Sequence, residues 1–324
     1  MAEQLVDVAV NIFAKPYQTA LSLLSLLRFS GARIDRVYLQ FEPAGSMFDP
    51  APPYAIAEYL AEGEMGDRVV VFQPEHWLKR EDTDPARLAT DAEYRLSVRY
   101  QYAFENSDKN RLFVMHNDVL IKKDIIGAML EAIGDAFAVG QLGQCWNCPA
   151  SQADIVREAG LGGTPCSPER QRDFRPDMEG LKRLYAIAPR HDFFVRGYNR
   201  GWNEAYRTDA WPLPECRINE WGCLVDLAKT RPHVMPEGAA LPFGAFEACG
   251  TGSLDIAAPW FRELCRLGLR AQAMDIGPCL THWVGTAKKT EYKYSRAEGN
   301  ARSILEKHFP EFVLWCRKRG NGLF

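Results

Sequence analysis

The chain has 324 residues, 47% apolar and 25% charged, which suffices for a sizeable buried core and ordinary solubility. Lys and Arg total 39 against 42 for Asp and Glu, and the formal charge of -3 excludes a general electrostatic grip on nucleic acid. No apolar stretch is long enough for a membrane-spanning helix, the first residues lack a secretory signal, and the 9 cysteines sit at irregular spacings that suit reduced thiols, so a cytoplasmic protein is expected.

Val6, Val8, Val10 and Ile12 alternate with other residues ahead of Lys15-Pro16, which predicts a first strand ending in a loop. Leucines over 18–28 repeat at helical spacing until Ser30-Gly31, and 36–41 returns to a strand, the strand-helix-strand unit of a parallel sheet. A Pro-rich acidic loop leads to a short helix over 54–61 and a third buried strand over 69–72, and then a single helix is predicted over 85–106. Residues 111–115 form a fourth strand that runs into His116-Asn117-Asp118. Val119-Leu120-Ile121 continues apolar before a helix over 124–133, and 136–140 reads as a fifth strand. From Gly143 to Pro214 the periodicity weakens, helical patterning returns over 218–228 and 257–267, and a basic segment closes the chain. The chain lacks the glycine fingerprints of dinucleotide oxidoreductases and P-loop enzymes.

Two segments carry chemistry. A carboxylate at the end of a buried strand loses its hydration unless a partner replaces it, and for Asp118 that partner is either a divalent cation or the helix or turn it caps. His282-Trp283-Val284-Gly285-Thr286-Ala287-Lys288 places an imidazole, a glycine and an ammonium at spacing three and six. Each suits a diphosphate: a metal ligand, a close backbone approach, and a compact charge for a leaving oxygen.

The strand-helix-strand opening, the short acidic motif ending strand four and the late His-x-x-Gly-x-x-Lys together resemble a GT-A glycosyltransferase. The resemblance implies an α/β fold with a Rossmann-type mixed, mostly parallel sheet flanked by helices and an irregular acceptor-side insertion. It implies a nucleotide-sugar-binding half over 1–142, an acceptor-binding and catalytic half of the same domain over 143–287, and a basic C-terminal helical segment over 288–324. Mn or Mg would be held by Asp118 and His282, with His116 standing where the superfamily has its first Asp. His116 is left between ligation through nitrogen, a hydrogen bond to ribose, and neither. Gly285 and Lys288 match the phosphate contacts. Asn11, Phe13, Ala14, Glu42 and Asn117 stand where the superfamily holds the donor, with core packing as the other reading of Phe13, and Arg95 and Arg99, four apart on one helix, either face the donor or are solvated.

Asn219-Glu220-Trp221-Gly222 resembles the segment at which inverting members place the catalytic base, read here as the start of an amphipathic helix, with Asp226 as a second candidate. A simple first-turn acid is the other reading of Glu220. The late histidine motif leans to the retaining branch, so stereochemistry stays open. The implied activity is metal-assisted transfer of a sugar, with a UDP-sugar as the expected donor, to a glycan, lipid-linked or protein acceptor. The alternative is a non-catalytic nucleotide-sugar-binding protein of the same fold. Cys145, Cys148, Cys166 and Cys216 are either a structural zinc set or packed thiols. The basic segment over 288–319 is drawn to a diphosphate or to an anionic membrane surface, or is a solvated helix face.

Overall fold

The computed structural model describes residues 5–42, 54–78, 83–143, 148–167, 170, 173–191, 212–213, 215–249, 252–282 and 291–324. In chain order the strands are β1 (Val6–Ile12), β2 (Ile34–Phe41), β3 (Val69–Phe72), β4 (Arg111–His116), β5 (Val119–Ile121), β6 (Ala138–Leu142), β7 (Ile218–Asp226), β8 (Glu247–Cys249), β9 (Gly252–Leu254), β10 (Ala271–Ala273) and β11 (Leu280–His282). The helices are α1 (Pro16–Ser30), α2 (Tyr54–Glu62), α3 (Pro85–Thr90), α4 (Ala92–Leu96), α5 (Gln101–Asn106), α6 (Ile125–Ala132), α7 (Ala153–Glu158), α8 (Met178–Ile187), α9 (Leu227–Thr230), α10 (Ala258–Arg266), α11 (Glu291–His308) and α12 (Pro310–Arg319).

Seven strands form one sheet in the order β10-β6-β7-β4-β1-β2-β3. β1 runs parallel to β2 and β4, β2 to β3 and β10 to β6, whereas β7 lies antiparallel between β4 and β6. This is the expected α/β architecture of a mixed, mostly parallel sheet flanked by helices. Alternation in the central strands feeds two cores. Val8, Val10, Phe113 and Met115 pack on one face with α1 leucines, and Ala9, Leu112 and Val114 pack on the other with Phe137 and Trp260.

Helix α1 is buried over most of its surface, its serines, threonine and glutamine included. Its two inner serines have a separate task. Ser22 Oγ donates to Val119 O at 2.7 Å and accepts from Val119 N at 3.0 Å, and Ser25 Oγ accepts from Ile121 N at 3.1 Å. β5 has left the main sheet to pair with β11, so these hydroxyls satisfy the backbone edge it would otherwise bury unpaired.

Four sequence expectations are corrected. Residues 218–226 form a strand, not a helix, because a short run buried on both faces has no period that separates the two. Gly222 in that strand makes room for β11: a Cβ there would stand 2.8 Å from Leu280 Cδ1. The helix expected over 85–106 is three helices, since Asp91 caps α4 through Tyr94 N and Tyr100 adopts a left-handed φ of 66° ahead of α5. β3 is a half-buried edge strand with Val71 49% exposed, so the third strand is not buried on both faces. Val119–Ile121 does not extend β4 but starts a two-stranded ribbon. Among the described residues no helix is long and apolar enough to cross a membrane.

Removing the Ser22 hydroxyl orphans both backbone groups of Val119. Ser22→Ala is expected to cost roughly 1 to 3 kcal/mol in urea unfolding, against about 0.5 kcal/mol or less for Ser303→Ala on the exposed face of α11.

Candidate functional site

The carboxyl ends of β1 and β4 lie side by side, with Asn11 in register with His116. In a doubly wound sheet this is the end that faces a ligand crevice. Beyond β1 the chain turns through two successive left-handed residues that are not glycine, Ala14 at φ 52° and Lys15 at φ 62°. Such conformations cost of order 1 to 3 kcal/mol each and persist only where the surroundings over-determine them.

The surroundings do so here. Asn117 Nδ2 donates to Ala14 O at 3.1 Å and to Thr19 Oγ1 at 2.9 Å. Lys15 N donates to the Tyr294 hydroxyl at 3.1 Å. The Glu298 carboxylate accepts from Tyr17 N at 2.9 Å, Gln18 N at 3.2 Å and Gln18 Nε2 at 2.8 Å, which caps the first turn of α1. Helix α11, near the C-terminus, thus uses a buried acid to hold the turn after β1.

Held this way, Lys15 directs its ammonium onto Asp118 Oδ2, with side-chain exposures of 7% and 4%. Asp118 Oδ1 is buried and receives no hydrogen bond. His282 Nε2 stands 3.3 Å from it and His116 Nδ1 3.5 Å, and the two nitrogens are 3.1 Å apart. The Trp221 ring stacks on His282 at 4.5 Å. On its other side His116 Nε2 meets Glu220 Oε1 at 3.2 Å, and Glu220 Oε2 is held by Arg217 Nη1. Arg217 in turn donates to Ile256 O at 2.8 Å and faces Asp255 at 3.4 Å.

Burial pushes the Asp118 carboxyl up, but the Lys15 ammonium and the two imidazoles outweigh it and hold the group well below the usual range. Burial also opposes charge on His116, yet Asp118 and Glu220 raise its pKa, whereas burial prevails at His282 and lowers it. Glu220 is kept below the ordinary glutamate value against burial by Arg217 and His116.

Two imidazole nitrogens and a carboxylate oxygen turned toward one another repel unless a proton or a cation lies between them. Ligand bonds of about 2.0 to 2.2 Å at about 90 to 109° put neighbouring donor atoms about 2.8 to 3.6 Å apart, and the spacings here are 3.1, 3.3 and 3.5 Å. The three side chains fit one face of a divalent cation's shell. Among the described residues they are the one group of three or more such donors close enough to share an ion. The His116 side chain is 27% exposed.

A second cluster adjoins it. Glu42 accepts from Asn11 Nδ2 at 2.8 Å and Trp77 Nε1 at 3.1 Å and pairs with Arg99 at 2.6 Å. The Phe13 and Trp77 rings lie parallel within 6°, centroids 6.2 Å apart.

The structure thus brings together His116, Asp118, His282 and Glu220, and beside them Asn11, Phe13, Glu42 and Arg99. Glu220 arrives on β7, not at a helix N-terminus. Asn117 and Ala14 lie in the wall of the turn, bonded to each other. Arg95 does not share a face with Arg99. The helix breaks between them, and Arg95 pairs with Glu105 at 2.8 Å and donates to Leu88 O at 3.2 Å. Asp226 is at the far end of β7, in register with Arg111, where it pairs with that arginine at 2.8 Å and caps α9 through Lys229 N at 3.0 Å. That position removes it from this site as the second candidate for the catalytic base. Cys148 and Cys216 are buried and Cys166 half-buried, and they form no metal group among the described residues. Burial lifts the Cys148 thiol well above its usual value, as suits a packed thiol. Cys145, Gly285 and Lys288 lie outside the described residues.

Sequence reasoning missed Lys15, Trp77, Arg217, Tyr294 and Glu298. Lys15 carried no local signal, since its partner ends another strand and only the sheet order makes β1 and β4 neighbours. The contacts of Tyr294 and Glu298 span about 280 residues of chain, and no local pattern reports them.

No protein-family model and no curated protein matches the chain. Among solved structures it is similar to a mannosyltransferase from Pyrobaculum calidifontis in complex with GDP-Man and Mn2+ (TM-score 0.40, 11% identity, 84% of this chain and 56% of that one). It is also similar to the galactosyltransferase LgtC in complex with donor and acceptor sugar analogues (TM-score 0.33, 14% identity, 70% of this chain and 60% of that one). The chain spans less than two thirds of the length of either, and similarity this distant assigns it no donor, metal or activity.

Because Glu298 closes the N-terminus of α1 from a distant helix, Glu298→Ala should lower stability by roughly 1 to 3 kcal/mol. Glu298→Gln, which retains one acceptor, should recover part of the loss in the same urea titration.

Proposed function

We propose that the chain is a nucleotide-sugar-dependent glycosyltransferase of the GT-A type whose divalent cation is held by His116, Asp118 and His282. The observation that carries this reading is the convergence of two imidazole nitrogens and a buried carboxylate oxygen without a hydrogen bond at the ligand-facing end of a doubly wound sheet. When bound, the cation supplies positive charge to the diphosphate that departs with the nucleoside.

The protein's own groups have separable parts. A proton on His116 Nε2, donated to Glu220 Oε1, leaves Nδ1 free as a ligand, and Arg217 keeps Glu220 in place. That pairing, the burial of Glu220 at 5% exposure and its lowered pKa favour a role in orienting His116 over that of a general base. Phe13 and Trp77 offer aromatic faces to a nucleobase, and Asn11, Glu42 and Arg99 form the polar cluster beside it. Gly285 and Lys288 stay assigned to the phosphates by the resemblance alone. UDP is the first nucleotide to test, and the acceptor is a glycan, lipid-linked or protein hydroxyl.

The test is a thermal-shift panel of nucleoside diphosphates with and without Mn2+ on wild type, Asp118→Ala and His282→Ala. The reading predicts that one nucleotide raises Tm by a few degrees only with Mn2+ present, and that both variants lose the effect. Absence of a shift with every nucleotide contradicts it. Hydrolysis of the matching nucleotide-sugar then separates an enzyme from a binding protein.

Glu220→Gln distinguishes the two roles of that residue. As an orienting group its loss should weaken Mn2+ binding by roughly 10- to 100-fold in calorimetry; as a base it would leave metal affinity intact and remove only turnover.

A further inference from the structure

We propose that Lys15 is a positioning residue that restricts Asp118 to one ligating oxygen and so biases the site toward transition cations such as Mn2+ over Mg2+ and Ca2+. The proposal rests on the cation-binding reading above. Its basis is the division of labour between the two Asp118 oxygens. Oδ2 is taken by the Lys15 ammonium, while Oδ1, buried and without a hydrogen bond, faces His116 Nδ1 and His282 Nε2.

The ammonium is not a loose counterion. It projects from a turn with two left-handed residues, fixed through Ala14 O by Asn117, through Lys15 N by Tyr294, and through the next two backbone amides by Glu298. Withdrawing Lys15 from Asp118 would leave a buried carboxylate and a buried ammonium both unpaired, so the pair stays closed.

Two consequences follow for a cation. Ca2+ takes six to eight oxygens and commonly both oxygens of a carboxylate, and Mg2+ depends on oxygen ligands and dehydrates reluctantly. A site offering two nitrogens and a single oxygen, whose carboxylate charge is already shared with an ammonium, gives either ion little. Zn2+ and Co2+ take imidazole nitrogen readily, and Mn2+, though it also suits oxygen ligands, accepts nitrogen better than Mg2+ or Ca2+ and loses less by the missing oxygen. The positive charge of Lys15 also repels every dication, and this weighs most on the ions that bind mainly through carboxylate charge.

The experiment is calorimetric titration of the metal-free full chain with MnCl2, MgCl2 and CaCl2, separately, for wild type and Lys15→Met, with near-UV circular dichroism to confirm native packing. Lys15→Gln, which keeps a hydrogen-bond donor without the charge, is titrated alongside and is decisive if the methionine variant does not fold. Wild type is expected to prefer Mn2+ over Mg2+ by at least about 100-fold. In the neutral variants that ratio should fall by at least about tenfold, mainly through tighter Mg2+ and Ca2+ binding. A variant that binds Mn2+ with the wild-type ratio overturns the role of Lys15 and leaves the cation reading standing. Wild type that binds none of the three ions overturns both.

Discussion

A carboxylate shut away from water must find its charge compensation inside the protein, and Asp118 is that carboxylate here. At 4% exposure its two oxygens are separately provided for: an ammonium on one, two imidazole edges toward the other. Much of the surrounding architecture can be understood as the means of delivering those three groups. β1 and the strained turn after it deliver Lys15, β4 delivers His116, and the β5–β11 ribbon delivers His282 opposite Val119. The ribbon itself stands because α1 presents serines where a fully apolar helix would leave β5 with unpaired backbone groups.

The antiparallel strand β7 adds the second layer of control. It inserts between β4 and β6, so Glu220 comes up beside His116, and Arg217, three residues earlier, locks the far carboxylate oxygen. A histidine fixed by a carboxylate on one nitrogen has its other nitrogen defined in direction and protonation, which is the usual way proteins orient a metal-binding imidazole. The C-terminal helices contribute from outside the sheet. Glu298 and Tyr294 of α11 brace the turn that carries Lys15, so residues nearly 280 positions apart in the chain set the geometry of one ion pair.

How much of this could be read in the sequence divides along physical lines. The first strands and α1 were legible because their apolar periods are long and consistent, and Asp118 was legible because a carboxylate at the end of a buried strand demands a partner, whereas His282 came from the spacing of the late His-x-x-Gly-x-x-Lys and His116 was left open between three readings. β7 was not, since burial on both faces erases the period that distinguishes a strand from a helix. Glu220 was singled out through a resemblance that placed it on a helix. It reaches the site by strand register instead, and in a different chemical setting. Arg95 and Arg99 looked like one face of one helix, but Asp91 and Tyr100 divide that stretch, and each arginine pairs with a different acid. Lys15 went unread because its partner is contributed by another strand, and only the sheet order makes β1 and β4 neighbours.

The central claim is that His116, Asp118 and His282 together hold a divalent cation. The most direct measurement is anomalous diffraction from crystals equilibrated with Mn2+. The account predicts one strong anomalous peak within about 2.0 to 2.3 Å of His116 Nδ1, Asp118 Oδ1 and His282 Nε2, with Lys15 still on Asp118 Oδ2. A peak elsewhere, or none at saturating Mn2+ with the three side chains well ordered, would contradict it.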